Sequence, residues 1–262
     1  DLPMTKVLIA GFAGAMGQQA VALVKSLPGF ELSAVVGHHL TDLDPTSYGL
    51  ENSTTVYADR EQVETGAADI WLDFTVPAAV FENVSYALRH GMAPVVGTTG
   101  LSDEQVEELQ QLAKQNGLGG LIAPNFGMSA VLLMKFAKEA AAYFPEVEII
   151  EMHHEDKKDA PSGTALATAK LISENRPAHE TAPDSTESLP GARGGDYQGI
   201  KLHAVRLPGY VAHEQVLFGG SGEALTIRQD SFDRSSFMSG VKVGLEKVGT
   251  LTELVVGLEN VL

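Results

Sequence analysis

From Glu151 to Ala165 the chain reads Glu-Met-His-His-Glu-Asp-Lys-Lys-Asp-Ala-Pro-Ser-Gly-Thr-Ala. Two imidazoles and two ammonium groups fall together in a chain whose formal net charge is −16. Such a field repels anionic metabolites, so a local cluster of cations is informative. A histidine exchanges protons near neutral pH. Pro161 suits an early helical position and Ser162 or Asp159 a helix cap, which puts a helix start within 161–164. The N–H groups of Gly163 and Thr164, with the Thr164 hydroxyl, then form a nest for a carboxylate, and Lys157 can add charge to it. Anion holders, a proton donor and an exposed helix end are what reduction of a dicarboxylate needs. Successive strand residues face opposite ways, so His153 and His154 are expected to play different parts unless the strand ends before them. The plainer alternative is a polar loop, with Lys158 a solvated surface charge. A zinc site fits poorly, because adjacent histidines lack metal-ligand spacing and the chain has no Cys.

A second chemical feature is Gly11-Phe12-Ala13-Gly14-Ala15-Met16-Gly17, spaced G-x-x-G-x-x-G. It follows a buried-strand pattern, Lys6 to Ala10, and opens a helix read over Gly17 to Leu27. In that context the glycines let the backbone approach a pyrophosphate held on the helix N-terminus. The next strand, Phe30 to Val36, ends in Gly37-His38-His39, with no acid placed for a ribose 2′-hydroxyl. The two imidazoles could face a 2′-phosphate, so NADPH is expected to be tolerated. They could equally be solvated loop residues, with Asp42 or Asp44 standing in for the missing acid. Phe74-Thr75 with Pro77, Gly97-Thr98-Thr99-Gly100, and Ala123-Pro124-Asn125-Phe126 also follow strand ends, the edge where such sheets bind ligands.

The elements that must position these groups come in two styles. Strands at Asp69 to Phe74, Ala93 to Val96 and Leu118 to Ala123 alternate with helices opened by Pro77 and Ser102, which implies a parallel sheet with right-handed crossovers. After Asn125 the pattern changes. A long helix runs from Ser129 to Tyr143, a strand from Val147 to Met152 and a helix from Ser162 to Glu174. Arg176 to Gln198 reads as a surface loop rich in Pro, Gly, Ser and acids. Ile200 to Arg206, Val211 to Phe218 and Ala224 to Gln229 are strands without intervening helices, and Ser235 to Val248 is a final helix. The expected class is α/β: a Rossmann-type parallel sheet over 1–125, joined by a return segment 235–262, and a smaller α+β domain with a mixed sheet over 126–234.

The chain has 262 residues, 44% of them hydrophobic, which suffices for two packed cores. Its negative charge argues against nucleic acid and anionic lipid as partners. No apolar run is long enough to span a bilayer and no signal peptide is evident. The lack of Cys suits a reducing cytoplasm and removes cysteine nucleophiles and thiolate metal sites, so no metal is expected. Asp1-Leu2-Pro3 precede a Met4-Thr5-Lys6 that reads as a natural start, and are set aside.

These residues resemble a known family. Glu151 to Ala165 matches every fixed position of the dihydrodipicolinate (4-hydroxy-tetrahydrodipicolinate) reductase signature, E-x-H-H-x-x-K-x-D-A-P-S-G-T-A. The likeness extends to the glycine turn, Asp73-Phe74-Thr75, Gly97 to Gly100, Asn125-Phe126, and a late pattern through Arg206, His213, Phe218-Gly219, Gly222-Glu223, Arg234, Phe237 and Gly240. The resemblance implies a Rossmann-type cofactor domain, a smaller domain that binds substrate and builds a homotetramer, and hydride delivery from NADH or NADPH to a dipicolinate-type ring on the lysine and diaminopimelate pathway. It implies His153 as proton donor and acceptor, Lys157 as a second proton donor, and His154, Gly163 and Thr164 on the substrate carboxylates beside Ser162. Gly11, Phe12, Ala13, Gly14, Ala15, Met16, Gly37, His38, Phe74, Thr75, Gly97, Thr98, Thr99, Ala123, Pro124, Asn125 and Phe126 fall at the cofactor. The chain departs from the family at Ala15, commonly Arg, at Gly37, often acidic, and at Gly127, often Ser. The expected mechanism closes the two domains around both ligands. Rival readings are another two-domain nicotinamide reductase and a non-catalytic NAD(P)H sensor on the same fold; the missing Cys excludes thioester-forming semialdehyde dehydrogenases.

Overall fold

In the computed structural model, residues 3–178 and 186–262 are described. The expectations for Asp1 and Leu2, and for 179–185 of the acidic loop, lie outside them. The chain divides into two compact units: 1–126 with 237–262, and 127–236.

The first unit is built on seven strands. β1 (Thr5–Ala10), β2 (Phe30–Val36), β3 (Thr55–Tyr57), β4 (Ile70–Asp73), β5 (Ala93–Val96), β6 (Gly120–Ile122) and β12 (Leu254–Val256) lie in the order β12-β6-β5-β4-β1-β2-β3, every neighbouring pair parallel. A parallel sheet covered on both faces needs unbroken apolar runs rather than alternation. Val7, Leu8 and Ile9 accordingly have no exposed surface, and all of β4 is buried.

The helices read as the sequence requires. α2 (Pro77–Arg89) carries Pro at its first turn and buries Val80, Val84, Ala87 and Leu88 on one stripe. α3 (Asp103–Gln115) opens with a capping box, Ser102 and Gln105 each accepting from the other's backbone N–H.

The second unit packs α4 (Met128–Ala141) and α5 (Gly163–Asn175) on one face of a five-stranded mixed sheet. Its strands are β7 (Glu146–His153), β8 (Gly195–Tyr197), β9 (Ile200–Arg206), β10 (Ala212–Gly220) and β11 (Glu223–Ser231), in the order β11-β10-β7-β9-β8. Only β7 and β9 run parallel. Ala165 and Ala169 of α5 are fully buried against Ile149, Val216, Phe218 and Leu202. Small residues there bring the helix close to the sheet, so the position of its N-terminus is set by packing.

Four expectations change. α1 (Ala15–Ser26) starts two residues before the expected Gly17, because Gln18 N already donates to Gly14 O. β8 lies inside the stretch read as a surface loop, and β3 and β12 in stretches given no element; each is only three residues long, too short for a pattern, and forms by pairing with a neighbouring strand. β10 and β11 extend to meet at Ser221-Gly222, since hairpin pairing carries them past their apolar stretches. The final helix, α6 (Met238–Val248), begins after a single 3-10 turn over Arg234–Phe237. Among the described residues no helix is long and apolar enough to cross a membrane.

Candidate active site

In the first unit the parallel register aligns the strand ends laterally: Ala10 pairs with both Val36 and Asp73, Asp73 with Val96, and Val96 with Ile122. The loops after β1, β2, β4, β5 and β6 therefore emerge along one edge. The sequence-identified segments at 11–16, 37–38, 74–75, 97–99 and 123–126 all lie there.

The glycine turn is shaped by a backbone contact. A Cβ on Gly17 would sit 1.9 Å from Gly11 O, and one on Gly11, at φ +79°, 2.1 Å from Phe74 O. Those two glycines are required by the fold. Gly14 is not: its Cβ would meet only Gly11 O, at 3.6 Å, an ordinary contact. It caps α1, is exposed, and precedes a first turn without acidic residues. An open, uncharged helix N-terminus fronted by a glycine that the fold does not demand is suited to a pyrophosphate.

Asp73 organises the neighbouring loops. Fully buried, it accepts from Trp71 Nε1 (3.0 Å), Asn83 Nδ2 (3.1 Å), Thr75 N (3.1 Å) and the Thr75 and Thr98 hydroxyls (2.7 Å each). Thr75 N also donates to Thr98 Oγ1 at 2.8 Å. Thr75 and Thr98 are thus fixed by one carboxylate, while Thr99 is exposed. Phe12, Ala123 and Phe126 are buried; Pro124 is exposed, and the Phe126 ring packs edge-on to Phe74 at 6.2 Å.

At the β2 tip, His38 and His39 have ring centroids 3.9 Å apart. His39, in the left-handed region at φ +54°, donates its N–H to Asp59 Oδ1 at 2.8 Å. That bond, ahead of the two imidazoles, holds the Asp59 carboxyl below its ordinary range. The acid at the tip is therefore Asp59, twenty residues beyond His39. Asp42 and Asp44 are spent locally: Asp42 accepts from Asp44 N, and Asp44 caps a 3-10 turn through Thr46 N. His38, His39 and Asp59 also have ligand atoms within 4.8 Å of one another, the spacing of a metal site, but both histidines are exposed.

The second unit gathers the cationic segment. His153 ends β7, half-buried, while His154 lies beyond the strand and is exposed, so it is the end of the strand, not alternation along it, that separates the pair. Nδ1 of His153 is 2.5 Å from Oε2 of Glu151, and among the described residues neither atom has another hydrogen-bond partner. Oε1 of Glu151 accepts from Arg206 at 2.5 Å. Burial pushes the Glu151 carboxyl up, but His153 and Arg206 outweigh it and the net shift is down. A buried carboxylate on Nδ1 leaves Nε2 as the ring nitrogen of His153 that could exchange a proton with a ligand.

Arg206 also donates to the carbonyls of Lys157 (3.3 Å) and Asp159 (2.6 Å), so one guanidinium holds both the clamp and the following loop. Lys157 pairs with Asp159 Oδ1 at 3.0 Å. Ser162 caps α5, its buried hydroxyl accepting from Ala165 N at 3.1 Å, which makes its first task holding the helix end. Gly163 begins α5, exposed, and a Cβ there would meet nothing within 4 Å. The fold places no demand for glycine at that position, which leaves close approach of a ligand as its use. His153, Lys157, Ser162, Gly163 and Thr164 thus lie in one strand–loop–helix segment. Glu151, Arg206, Asp73 and Asp59 had been given no part. The first three stood in the sequence patterns; the signal that could have raised Glu151 was its place two residues before His153, on the same strand face.

The family model described as the dihydrodipicolinate reductase N-terminus matches residues 5–126, and that of the C-terminus matches 129–262. A 4-hydroxy-tetrahydrodipicolinate reductase of Lactobacillus acidophilus is 66% identical over 260 residues, 99% of each chain, and one of Lactobacillus helveticus is 67% identical over 257 residues, 98% of each. The solved structure of a dipicolinate-bound dihydrodipicolinate reductase from Paenisporosarcina sp. TG-14 superposes with a TM-score of 0.90 at 48% identity, covering 99% of this chain and 100% of that one. A Thermotoga maritima probable dehydrogenase, 12% identical with a TM-score of 0.66 over 97% of this chain and 92% of its own, shares the fold alone.

Proposed function

Because the chain belongs to the dihydrodipicolinate reductase family, we propose that it reduces 4-hydroxy-tetrahydrodipicolinate to tetrahydrodipicolinate in lysine and diaminopimelate synthesis. The nicotinamide cofactor supplies the hydride. The observation that carries this reading is the segment from Glu151 to Thr164, where a clamped imidazole, a lysine and an open helix N-terminus come together.

The first unit is the dinucleotide-binding domain, including the return segment after 235, and 126–234 forms the domain for substrate and self-association. Gly11 to Met16 would hold the pyrophosphate on α1. Gly37 and His38 would meet the adenosine ribose, and Phe74, Thr75, Gly97 to Thr99 and Ala123 to Phe126 would line the nicotinamide half. With two imidazoles and an acid at the ribose edge, both NADPH and NADH are accepted.

The substrate carboxylates rest on the α5 N-terminus, at Gly163 and Thr164, with His154 and Ser162 beside them. His153 holds a proton at Nε2 and yields it to the reduced ring, with Lys157 as the second donor. The working assembly is a tetramer of this 27.8 kDa chain, and light scattering should return four times that mass.

The activity test is oxidation of NADPH and of NADH, measured separately, with substrate freshly made by a coupled synthase. Turnover with both supports the reading; turnover with NADPH alone assigns the histidine tip to a 2′-phosphate. No turnover with either, by folded protein that still binds cofactor, overturns it.

A further inference from the structure

Along the inner face of β10, Phe218 and Val216 belong to the core, and the next residue in the alternation is Glu214. A carboxyl only 2% exposed stands where an apolar side chain would continue the pattern. Its antiparallel partner is Glu151, the clamp of His153. Directly opposed residues on one face have Cβ atoms about 4.5–5.5 Å apart, so two carboxyls share one neighbourhood. Their surroundings differ. Glu151 faces His153 and Arg206, whereas no cation faces Glu214 among the described residues. From α5 it meets Thr168, and on β11 its register partner is the amide Gln229, which takes the Ser129 hydroxyl of α4.

The hydrogen-bond geometry favours a protonated Glu214. Thr168 Oγ1 lies 2.7 Å from Glu214 Oε2 and 2.8 Å from the Thr164 carbonyl, one turn back on α5. A hydroxyl has one proton and cannot satisfy two acceptors. A proton on Glu214 resolves this, because Glu214 then donates to Thr168 and Thr168 to Thr164. Glu214 Oε1, buried with no hydrogen-bond partner among the described residues, is tolerable on a neutral acid and costly on a carboxylate.

We propose that Glu214 is a positioning residue, protonated in the working enzyme, which ties the first turn of α5 to the sheet through Thr168 and leaves the Glu151 charge to His153 and Arg206 alone. This rests on reading His153 as the proton donor and the α5 end as the carboxylate seat. Burial is the main reason the proton is kept, pushing the carboxyl up to about 7, and the Glu151 charge adds to it; only a Thr168 hydroxyl turned to donate to the carboxylate opposes this, and turning it gives up the bond to the Thr164 carbonyl. Ionisation of Glu214 would remove the donor to Thr168 and set a second negative charge beside Glu151.

Glu214→Gln supplies a permanent donor of the same shape. The readout is the ratio of kcat/KM for substrate, variant over wild type. It should rise about tenfold between about pH 6 and about pH 8, as the wild type loses its proton and the amide does not; titrations common to both enzymes cancel. A ratio that stays flat overturns the proposal. Infrared titration of the wild type needs no variant: a protonated carboxyl band present at about pH 6 and lost by about pH 8.5 is expected, and its absence at the lower pH contradicts the proposal. His153→Gln in the same assay separates the two readings. If it turns over normally, the donor assignment falls and the Glu214 role with it. If it is inactive while the pH ratio stays flat, only the Glu214 role falls.

Discussion

At the scale of single residues, buried carboxylates, with Arg206 bonded to one of them, do the organising. Asp73 takes five hydrogen bonds from four residues. Asp73→Ala would strand the buried Trp71 Nε1 and leave Asn83 Nδ2 and Thr98 Oγ1 only their longer bonds, to Thr75 Oγ1 at 3.3 Å and to the carbonyl of residue 73 at 3.2 Å, and should destabilise by about 3 kcal/mol in denaturant unfolding. It should also raise the KM for cofactor, because Thr75 and Thr98 lose their common anchor. A single sequence could show that Asp73 ends a strand, not that side chains 2 to 25 residues away converge on it. His153 and Lys157 were legible because their chemistry is unusual in so acidic a chain. Glu214 was not, because a lone Glu in an alternating strand reads as surface until the opposite strand is known. Asp59 was hidden in the same way, reaching the β2 tip across a β2–β3 pairing too short to foresee.

At the scale of elements, the proposal places recognition at helix termini, and glycines mark where the fold and the proposed ligand make different demands. Gly163→Ala at the start of α5 should change stability by less than ~1 kcal/mol, since its Cβ enters open space. The same change should raise the substrate KM about tenfold or more, because the methyl group stands where the carboxylate approaches. Gly17→Ala in α1 reverses the order. Its Cβ would lie 1.9 Å from Gly11 O, so it should cost at least ~2 kcal/mol and distort the turn before any ligand is added. Thermal unfolding and substrate titration of the two variants separate these roles. The long elements were legible from period and caps: Pro77, Ser102 and Ser162 open helices as their chemistry dictates. β3, β8 and β12 were not, since three residues carry no period and such strands are defined by what they pair with.

At the scale of the whole molecule, the fold class followed from the change in style after Asn125, where alternating strands and helices give way to consecutive strands. Stability should carry the mark of the buried acid. Glu214 has its folded pKa raised from 4.5 to about 7, so its contribution is complete below about pH 4.5 and is withdrawn as pH rises through about 7. Relative to Glu214→Gln, the wild type should lose about 3 kcal/mol across that window in denaturant unfolding. Glu148, Glu151 and Asp230 have the opposite sign. Their pKa values are lowered by partners, so the stability they contribute is present at neutral pH and lost as the solution is acidified through their folded values.

The proposed division of labour, a cofactor edge in one unit and a proton-delivering segment in the other, is tested most directly by His153→Gln. Turnover with NADPH and substrate, and NADPH affinity, should be measured on the same preparation. Turnover should fall roughly 10²-fold or more with cofactor affinity near that of the wild type. Unchanged turnover, or a collapse of cofactor binding, would contradict the account.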